Sequence, residues 1–176
     1  MGKSRIRKPR HLTALAAAAL AFGVLAGTGT SAQAATAQGY VNGWDWEDDD
    51  WADEGLVSTT HHSNSGAAGL WQFVLWADGY LTEADVDCKF GPKTEAATKK
   101  WQARFLGASQ ADGVVGNKTF GAASQRLGRT AWSGNATMTY GSKTLGRSLT
   151  DGSYFFQTNY TNGFVVANYN SAANCR

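Results

Sequence analysis

The sequence predicts an α+β protein, with a three-helix domain followed by a small antiparallel β module at the C-terminal end. Two observations support this fold class. Apolar residues in the middle of the chain recur with the period of an α-helix, beginning with Leu70, Phe73, Val74 and Ala77. After Thr130 the composition changes to Thr, Tyr, Ser, Asn and Gly, arranged in short β-type runs between turn residues.

The N-terminal residues indicate export. A basic head precedes an apolar run from Leu12 to Ala26, and Ala32-Gln33-Ala34 then follows the pattern that signal peptidase accepts. The apolar run is shorter than the roughly 20 residues that a membrane-spanning helix needs, which argues against an anchor. Residues 1–34 are therefore predicted to be a cleaved signal peptide. We expect a mature protein that is secreted, extracellular or attached to the cell wall.

Removal of this leader changes the sign of the net charge. The whole chain has 16 Lys and Arg residues, 14 Asp and Glu residues and a formal charge of +2. Because the leader carries five of the 16 basic residues, 11 remain against 14 acidic ones, and the mature chain is near −3. Such a balance gives no electrostatic footprint for nucleic acid. After cleavage, no membrane partner is expected either.

Residues 35–65 are predicted to be a flexible acidic and polar extension. The stretch from Trp44 to Glu54 reads WDWEDDDWADE, and the polar run STTHHSNSG follows it without periodicity. Blocks of like charge are typically solvated segments that repel themselves. The alternative is a functional arm that binds cations or contacts sugars through its aromatic rings.

Three helices are predicted within residues 66–128. The first begins at about Gly66 and ends at Gly79, the second begins with Pro92, and the third runs from about Lys118 to Leu127. Gly128 is expected to terminate the third helix. The N-cap candidates for the first helix are Ser63, Asn64 and Ser65.

Residues 130–176 are predicted to form three or four short antiparallel strands. Runs such as NATMTYG, TLGRSL, GSYFFQTNY and GFVVANYN are separated by Gly, Asn and Asp. Asn162-Gly163 lies between Tyr160 and Phe164, which predicts a tight hairpin at that point. A sheet of this size is marginally stable alone.

One stretch of the helical region occurs twice. Each copy contains an Asp, a turn, an apolar residue, Gly, Lys and Thr at matching positions, followed by a helix. The pairs are Asp87 with Asp112, Phe90 with Val115, Gly91 with Gly116, Lys93 with Lys118, and Thr94 with Thr119. Neighbouring copies of such a unit are expected to share a core. In each turn we expect the Asp to accept backbone N–H bonds and the Gly to allow positive φ.

With LWQ, LWADGYL, DVDCKFGPKTEAATKKWQ and ADGVVGNKTFGAA, the chain resembles the small helical peptidoglycan-binding domain of bacterial cell-wall hydrolases. The resemblance covers about residues 66–127. It implies a Gln on the first helix, Gln72, and another on the middle helix, Gln102. The structural motif residues that it implies are Asp87, Phe90, Gly91, Thr94, Trp101, Asp112, Gly116 and Thr119.

The two cysteines of the chain, Cys88 and Cys175, are predicted to form one disulfide, because an even pair in an exported protein is typically bonded. Cys88 stands where the family pattern has Gly. This departure places a thiol on a loop near the surface, where Cys175 can reach it. The bond would tie the β-rich tail back to the helical domain.

No catalytic residue, metal site or cofactor is predicted. His61 and His62, even with Asp85 and Asp87, lack the spacing of a metal-ligand motif. Cys88 lies in a structural turn without a recognisable base, which argues against a nucleophile. A pair of carboxylates facing each other across a groove, as glycosidases use, stays open at the level of sequence.

Four residues are predicted to contact a ligand, namely Gln72, Trp76, Tyr80 and Gln102. Aromatic faces suit the C–H surfaces of sugars, and amides suit the carbonyls of peptide stems. The alternative is that both Gln side chains bind the protein's own backbone. Trp71 and Trp101 are expected to lie in the core.

The resemblance implies a secreted, non-catalytic protein that binds bacterial peptidoglycan. The first alternative is a secreted interaction module that recognises a protein partner through the helical scaffold and the β module. A cell-wall hydrolase is the third hypothesis.

Overall fold

Helices and a single antiparallel sheet make up the fold of the described chain, and the predicted α+β class is confirmed. The computed structural model describes residues 38–44, 46–133 and 135–176, so the predicted signal peptide lies outside the described residues. The helices are α1 (Gly66–Ala77), α2 (Pro92–Phe105) and α3 (Asn117–Ser124). The strands, in spatial order, are β1 (Leu127–Ser133), β2 (Asn135–Tyr140), β3 (Lys143–Ser148), β4 (Tyr154–Phe156) and β5 (Val165–Val166). Across these ranges, no helix has the length and apolar character that crossing a membrane requires.

The helix ends follow local sequence signals, with one exception. Ser65 is the N-cap of α1, where its hydroxyl accepts the N–H of Ala68 at 3.0 Å. The predicted end of the third helix at Gly128 is wrong, because α3 stops at Ser124. Gly128 lies inside β1 and pairs with Thr139. The pairing of β1 with β2 therefore overrides the helical pattern in this segment.

Helix α1 lies at the centre of the molecule and is buried on both sides. Its Trp71 packs edge-on against Trp101 of α2, with ring centroids 5.1 Å apart. Its Phe73 contacts Phe156 of β4 at 5.7 Å. A Cβ atom on Gly69 would lie 2.7 Å from the Phe156 ring, so glycine permits this close approach. The predicted single apolar stripe is too narrow, because the sheet covers a second face.

Asp78, the C-cap of α1, links the helices to the sheet. Its carboxylate accepts the indole N–H of Trp101 at 2.7 Å and the hydroxyl of Tyr140 at 3.0 Å. Arg126, which precedes β1, donates to the same carboxylate at 2.6 Å. The helix α2, the strand β2 and the segment before β1 therefore all contact the nearly buried carboxylate of Asp78, and Arg126 balances its charge.

The prediction of a flexible extension before residue 66 is wrong for the described residues. Trp51 is fully buried, with its ring 6.1 Å from Phe120 and 5.1 Å from Tyr154. Asp50 is buried beside it and accepts a hydrogen bond from Arg147 at 2.5 Å. The acidic block thus contributes a core tryptophan and a buried ion pair. The partners that make burial favourable lie far along the chain, where a local charge pattern gives no sign of them.

The disulfide prediction is confirmed. Cys88 is bonded to Cys175, with Cα atoms 5.9 Å apart and 87 positions between them in sequence. Cys88 has φ +64°, which is the left-handed conformation that glycine adopts most readily. The bond holds the C-terminal tail against the turn that precedes α2.

Within the described residues the sheet has five strands rather than the predicted three or four, and its last connection differs from the predicted hairpin. Strands β4 and β5 are joined by the loop 157–164, so Asn162-Gly163 does not form a two-residue turn between strands. Thr158 and Thr161 organise this loop: the Thr158 N–H donates to Thr161 Oγ1 at 3.0 Å, and that hydroxyl donates to the Gly163 carbonyl at 2.9 Å. Side-chain hydrogen bonds thus replace the expected backbone turn.

Glu54 is a fully buried carboxyl group with hydrogen-bond partners but no adjacent cation in the described chain. It accepts the Asn42 N–H at 2.8 Å and the Tyr169 hydroxyl at 2.6 Å. Burial raises the pKa of Glu54 to about 7, and repulsion from Asp53 and Asp50 adds to this, while the two hydrogen bonds oppose it.

We predict that the raised pKa of Glu54 makes the folded state less stable as the pH increases. Its pKa in the folded chain is about 7, against a usual value of 4.5, so the folded state binds the extra proton between these values. The free energy of unfolding should therefore decrease by up to about 3 kcal/mol between about pH 5 and pH 8. Glu54→Gln should lose this decrease while keeping the other pH effects. Urea unfolding of both proteins across the range measures the difference, and parallel pH profiles would contradict the assignment.

Candidate functional site

The turn before α2 is held by the side chain of Gln72, in an arrangement that we call the first clamp. The amide nitrogen of Gln72 donates to Asp87 Oδ1 at 2.9 Å, to the Lys89 carbonyl at 3.1 Å and to Thr94 Oγ1 at 3.1 Å. Its amide oxygen accepts the backbone N–H groups of Asp87 at 3.1 Å and Cys88 at 2.8 Å. One side chain of α1 thus joins the turn to the first residues of α2.

The turn before α3 carries the same arrangement, the second clamp, around Gln102. Its amide nitrogen donates to Asp112 Oδ1 at 2.9 Å, to the Val114 carbonyl at 2.8 Å and to Thr119 Oγ1 at 3.1 Å. Its amide oxygen accepts the N–H of Gly113 at 2.8 Å. The repeated sequence therefore encodes a repeated hydrogen-bond cluster, in which each helix clamps the turn that leads to the next.

The clamps revise the predicted role of the two glutamines. Gln72 and Gln102 are each 1% exposed, and both ends of each amide are engaged by the turn. The prediction that they contact a ligand is therefore corrected: the structure gives them the backbone-binding role that was the alternative. Buried amides that lost these partners would each cost free energy, so the residues hold the domain together.

The glycines of the repeat are also used differently from the prediction. Gly91 and Gly116 are the N-caps of α2 and α3, with φ of −98° and −110°, so neither needs a positive φ. The left-handed residue of each turn is Cys88, with φ +64°, and its counterpart Gly113, with φ +82°. As expected, Asp87 and Asp112 accept turn N–H groups, from Lys89 at 2.9 Å and from Val114 at 2.8 Å.

Trp76 and Tyr80 lie at the C-terminal end of α1 and are both partly buried. The ammonium group of Lys143 lies 4.1 Å from the centroid of the Trp76 ring, and Phe73 packs edge-on against that ring at 5.5 Å. A cation therefore already occupies one face of the Trp76 ring, on which a sugar could otherwise stack. Ligand contact by these two residues stays a prediction, with Lys143 as a competitor for the tryptophan.

An open groove of about 300 Å³ lies directly over the second clamp. Its walls include the half-buried Leu56 and Leu106, and its rim carries the exposed side chains of Gln110, Asn117 and Lys118. The second clamp itself contributes to the lining through Gln102, Asp112 and Thr119. The groove thus combines apolar walls with amide groups and one cation, which are the components of a small ligand site.

The first clamp lacks an equivalent free cation. Lys93, which matches Lys118 in the repeat, forms an ion pair with Asp85 at 2.6 Å. That hydrogen bond holds the pKa of the Asp85 carboxyl below its usual range. In the described chain Lys118 has no ion-pair partner. The loop before α2 is longer and contains the short helical turn Glu83–Asp85, which supplies the carboxylate that the second copy lacks.

Sequence reasoning missed part of the groove lining, whereas the residues of the second clamp that line it were already singled out. Leu56 belongs to a segment expected to be flexible, although Val57 pairs with Val115 through two hydrogen bonds of 2.9 Å. Gln110, Asn117 and Lys118 carry no pattern of their own. The one available signal for a free cation was the repeat. Asp85 precedes the turn that leads to Lys93, whereas Gln110 stands at the matching position before Lys118. In the described chain, no three His, Cys, Asp or Glu side chains converge as metal ligands.

The fold and the two clamps define a small helical domain built from a repeated helix-and-turn unit. Residues 72–122 match the family model described as "Putative peptidoglycan binding domain". The matched segment contains both clamps and most of the groove lining. The resemblance seen in the sequence is confirmed for this segment, and the match supports peptidoglycan binding and an association with the cell wall. Comparison with curated proteins and with solved structures gives no significant match.

We predict that Gln102→Ala destabilises the protein by about 2–4 kcal/mol, because it leaves several buried polar groups of the second clamp without a partner. Gln110→Ala removes the same side chain from the exposed rim and should change stability by less than ~0.5 kcal/mol. Urea unfolding with the disulfide intact measures both. Equal small effects would show that the clamp does not stabilise the turn.

Proposed function

We propose that this protein is a secreted, non-catalytic peptidoglycan-binding protein, and that the groove over the second clamp takes a peptide stem of the wall. One observation carries the proposal: the segment that matches the family model coincides with an open groove whose cation, Lys118, has no acidic partner in the described chain. The predicted leader at residues 1–34 supports delivery to the wall.

The groove chemistry supports a peptide rather than a bare sugar at this position. Peptide stems present amide groups, small apolar side chains and carboxylates. Gln110 and Asn117 offer amides that can donate to and accept from a peptide backbone, and Lys118 offers a cation to a carboxylate. Leu56 and Leu106 provide apolar walls for methyl groups. Asp112 is held by the second clamp and is therefore a fixed part of the floor.

Long-range attraction contributes little to this binding. The mature chain is mildly acidic, with 11 basic against 14 acidic residues after loss of the leader, and bacterial walls are themselves anionic. Contacts at short range must therefore provide the affinity, and they are screened only weakly by salt. We expect wall binding to survive moderate ionic strength.

We predict that Lys118→Ala weakens binding of the mature chain, residues 35–176, to purified cell walls by about tenfold, through loss of a charge-assisted hydrogen bond. Lys93→Ala is the matched control, because Lys93 occupies the same position of the other repeat and is paired with Asp85. Its affinity should stay within about twofold of wild type. The full mature chain is used because α1 packs on both α2 and the sheet. Equal affinity of the two variants would contradict the assigned groove.

We also predict that the mature chain does not degrade the wall. Asp112, which lines the groove, and the buried Asp50 and Glu54 all accept hydrogen bonds from the protein itself. Suspensions of purified walls should keep their turbidity after addition of the chain. Clearance that disappears on substitution of a single acidic or His residue would establish a hydrolase instead.

A further inference from the structure

A second groove, of about 420 Å³, lies on the sheet, outside the segment that matches the family model. It is formed by β2, β3, β4 and both ends of the loop 157–164. Thr137, Gly146 and Phe155 are neighbours across these strands, so they share the face turned away from the core. The opposite face carries the buried Tyr154 and Phe156, which pack on Trp51 and Phe73.

Two phenylalanine rings form one wall of this groove. The ring of Phe155 lies across Gly146, where a Cβ atom would come within 2.1 Å of it. Phe164 packs edge-on against Phe155, with centroids 5.3 Å apart and planes at 83°, and it is 59% exposed. A glycine in the middle of a strand usually weakens the strand. Gly146 has a packing role here, because the absence of a side chain allows the Phe155 ring to lie directly on the sheet.

The loop that presents Phe164 is fixed from both ends. Asn174 donates to the Phe164 carbonyl at 2.7 Å, and the Asn162 N–H donates to the Asn174 carbonyl at 2.8 Å. At the other end, the Asn159 N–H donates to the Glu83 carboxylate at 3.0 Å. An exposed aromatic ring on a loop held in this way is preorganised for contact, because little conformational entropy is lost when a ligand arrives.

The polar side chains of the groove are neutral and have no hydrogen-bond partner within the described chain. Thr137, Thr144 and Gln157 line it, and none of their side chains takes part in a hydrogen bond within the described chain. The residues lining the groove include no Asp, Glu, Lys, Arg or His. Such a lining offers stacking surface and hydrogen bonds, but it gives nothing to a carboxylate or a phosphate.

We propose that this groove binds a neutral sugar strand, the β-1,4-linked amino-sugar backbone of the wall. The match is one of charge: peptide stems and anionic wall polymers carry ionised groups, whereas a glycan backbone presents C–H faces, hydroxyls and acetamido groups. The C–H faces stack on Phe155 and Phe164. The hydroxyl and acetamido groups bond to Thr137, Thr144 and Gln157. This site is separate from the proposed peptide-stem groove. The choice of the wall's sugar strand rests on the proposed function, which the site extends to a two-point attachment.

The test uses the mature chain and a soluble hexamer of β-1,4-linked N-acetylglucosamine, which carries no peptide. Titration calorimetry should detect binding by wild type, about fivefold weaker binding by Phe164→Ala, and binding within about twofold of wild type by Phe164→Tyr, which keeps the ring. Tyr160→Ala is the matched control, since Tyr160 is 45% exposed on the same loop but does not line the groove. It should bind as wild type does.

Absence of hexamer binding by wild type, or equal binding by Phe164→Ala and Tyr160→Ala, would overturn this inference. Binding of an isolated stem peptide that is lost in Phe164→Ala would overturn it in favour of a peptide partner. The outcome is distinguishable from failure of the peptide-stem groove. If Lys118→Ala weakens wall binding but the wild-type chain does not bind the hexamer, only the sugar site is removed. If the wild-type chain binds the hexamer but Lys118→Ala binds walls as wild type does, only the groove over the second clamp is removed.

Discussion

The buried glutamine amide is the interaction on which the helical part of this protein depends. A turn between two helices leaves several N–H and C=O groups without partners, and burying them unpaired would cost more than a short helix contributes. Gln72 and Gln102 each offer a donor and an acceptor from the preceding helix and thereby satisfy the turn. Because the two clamps are alike, the connection from α1 to α2 and the connection from α2 to α3 are stabilised in the same way.

The clamped helices do not bury all of their apolar surface, and the rest of the chain completes the core. The N-terminal segment adds Trp51 between Phe120 and Tyr154, and the sheet covers the second face of α1 through Phe156. Buried charges accompany these contacts, with Asp50 bonded to Arg147. Removal of one member of such a pair would leave an uncompensated buried charge, so the pair fixes how the N-terminal segment meets the sheet.

The sequence predicted what is local and repeated. It was sufficient for the start of α2 at Pro92, and it narrowed the N-cap of α1 to three candidates that include Ser65. The disulfide of Cys88 with Cys175 joins distant residues, but it was predictable because the chain has two cysteines. The sequence was insufficient where a distant partner decides the outcome. Asp50 and Glu54 of the acidic block are buried because Arg147 and Tyr169 bind their carboxylates, and neither partner is visible from the block itself.

The candidate sites show the same limit. Gln72 and Gln102 were recognisable as important residues, but an amide that suits a ligand equally suits a backbone. Only the low exposure of these side chains, 1% for each, decides between the two roles. The groove over the second clamp depends on Leu56 from outside the repeat, and the sheet groove depends on a loop whose form was predicted as a tight turn. A surface to which several separate segments contribute cannot be predicted until the fold shows that those segments lie together.

Nuclear magnetic resonance of the ¹⁵N-labelled mature chain, titrated with a soluble disaccharide-peptide fragment of peptidoglycan, tests the central claim most directly. That claim is that the clamped domain holds the wall through the groove over its second turn. The account predicts that the largest amide shifts fall on residues 106–119 and on Leu56, with smaller shifts along the sheet groove. Shifts confined to Trp76 and Tyr80, or no shifts at saturating fragment, would contradict it.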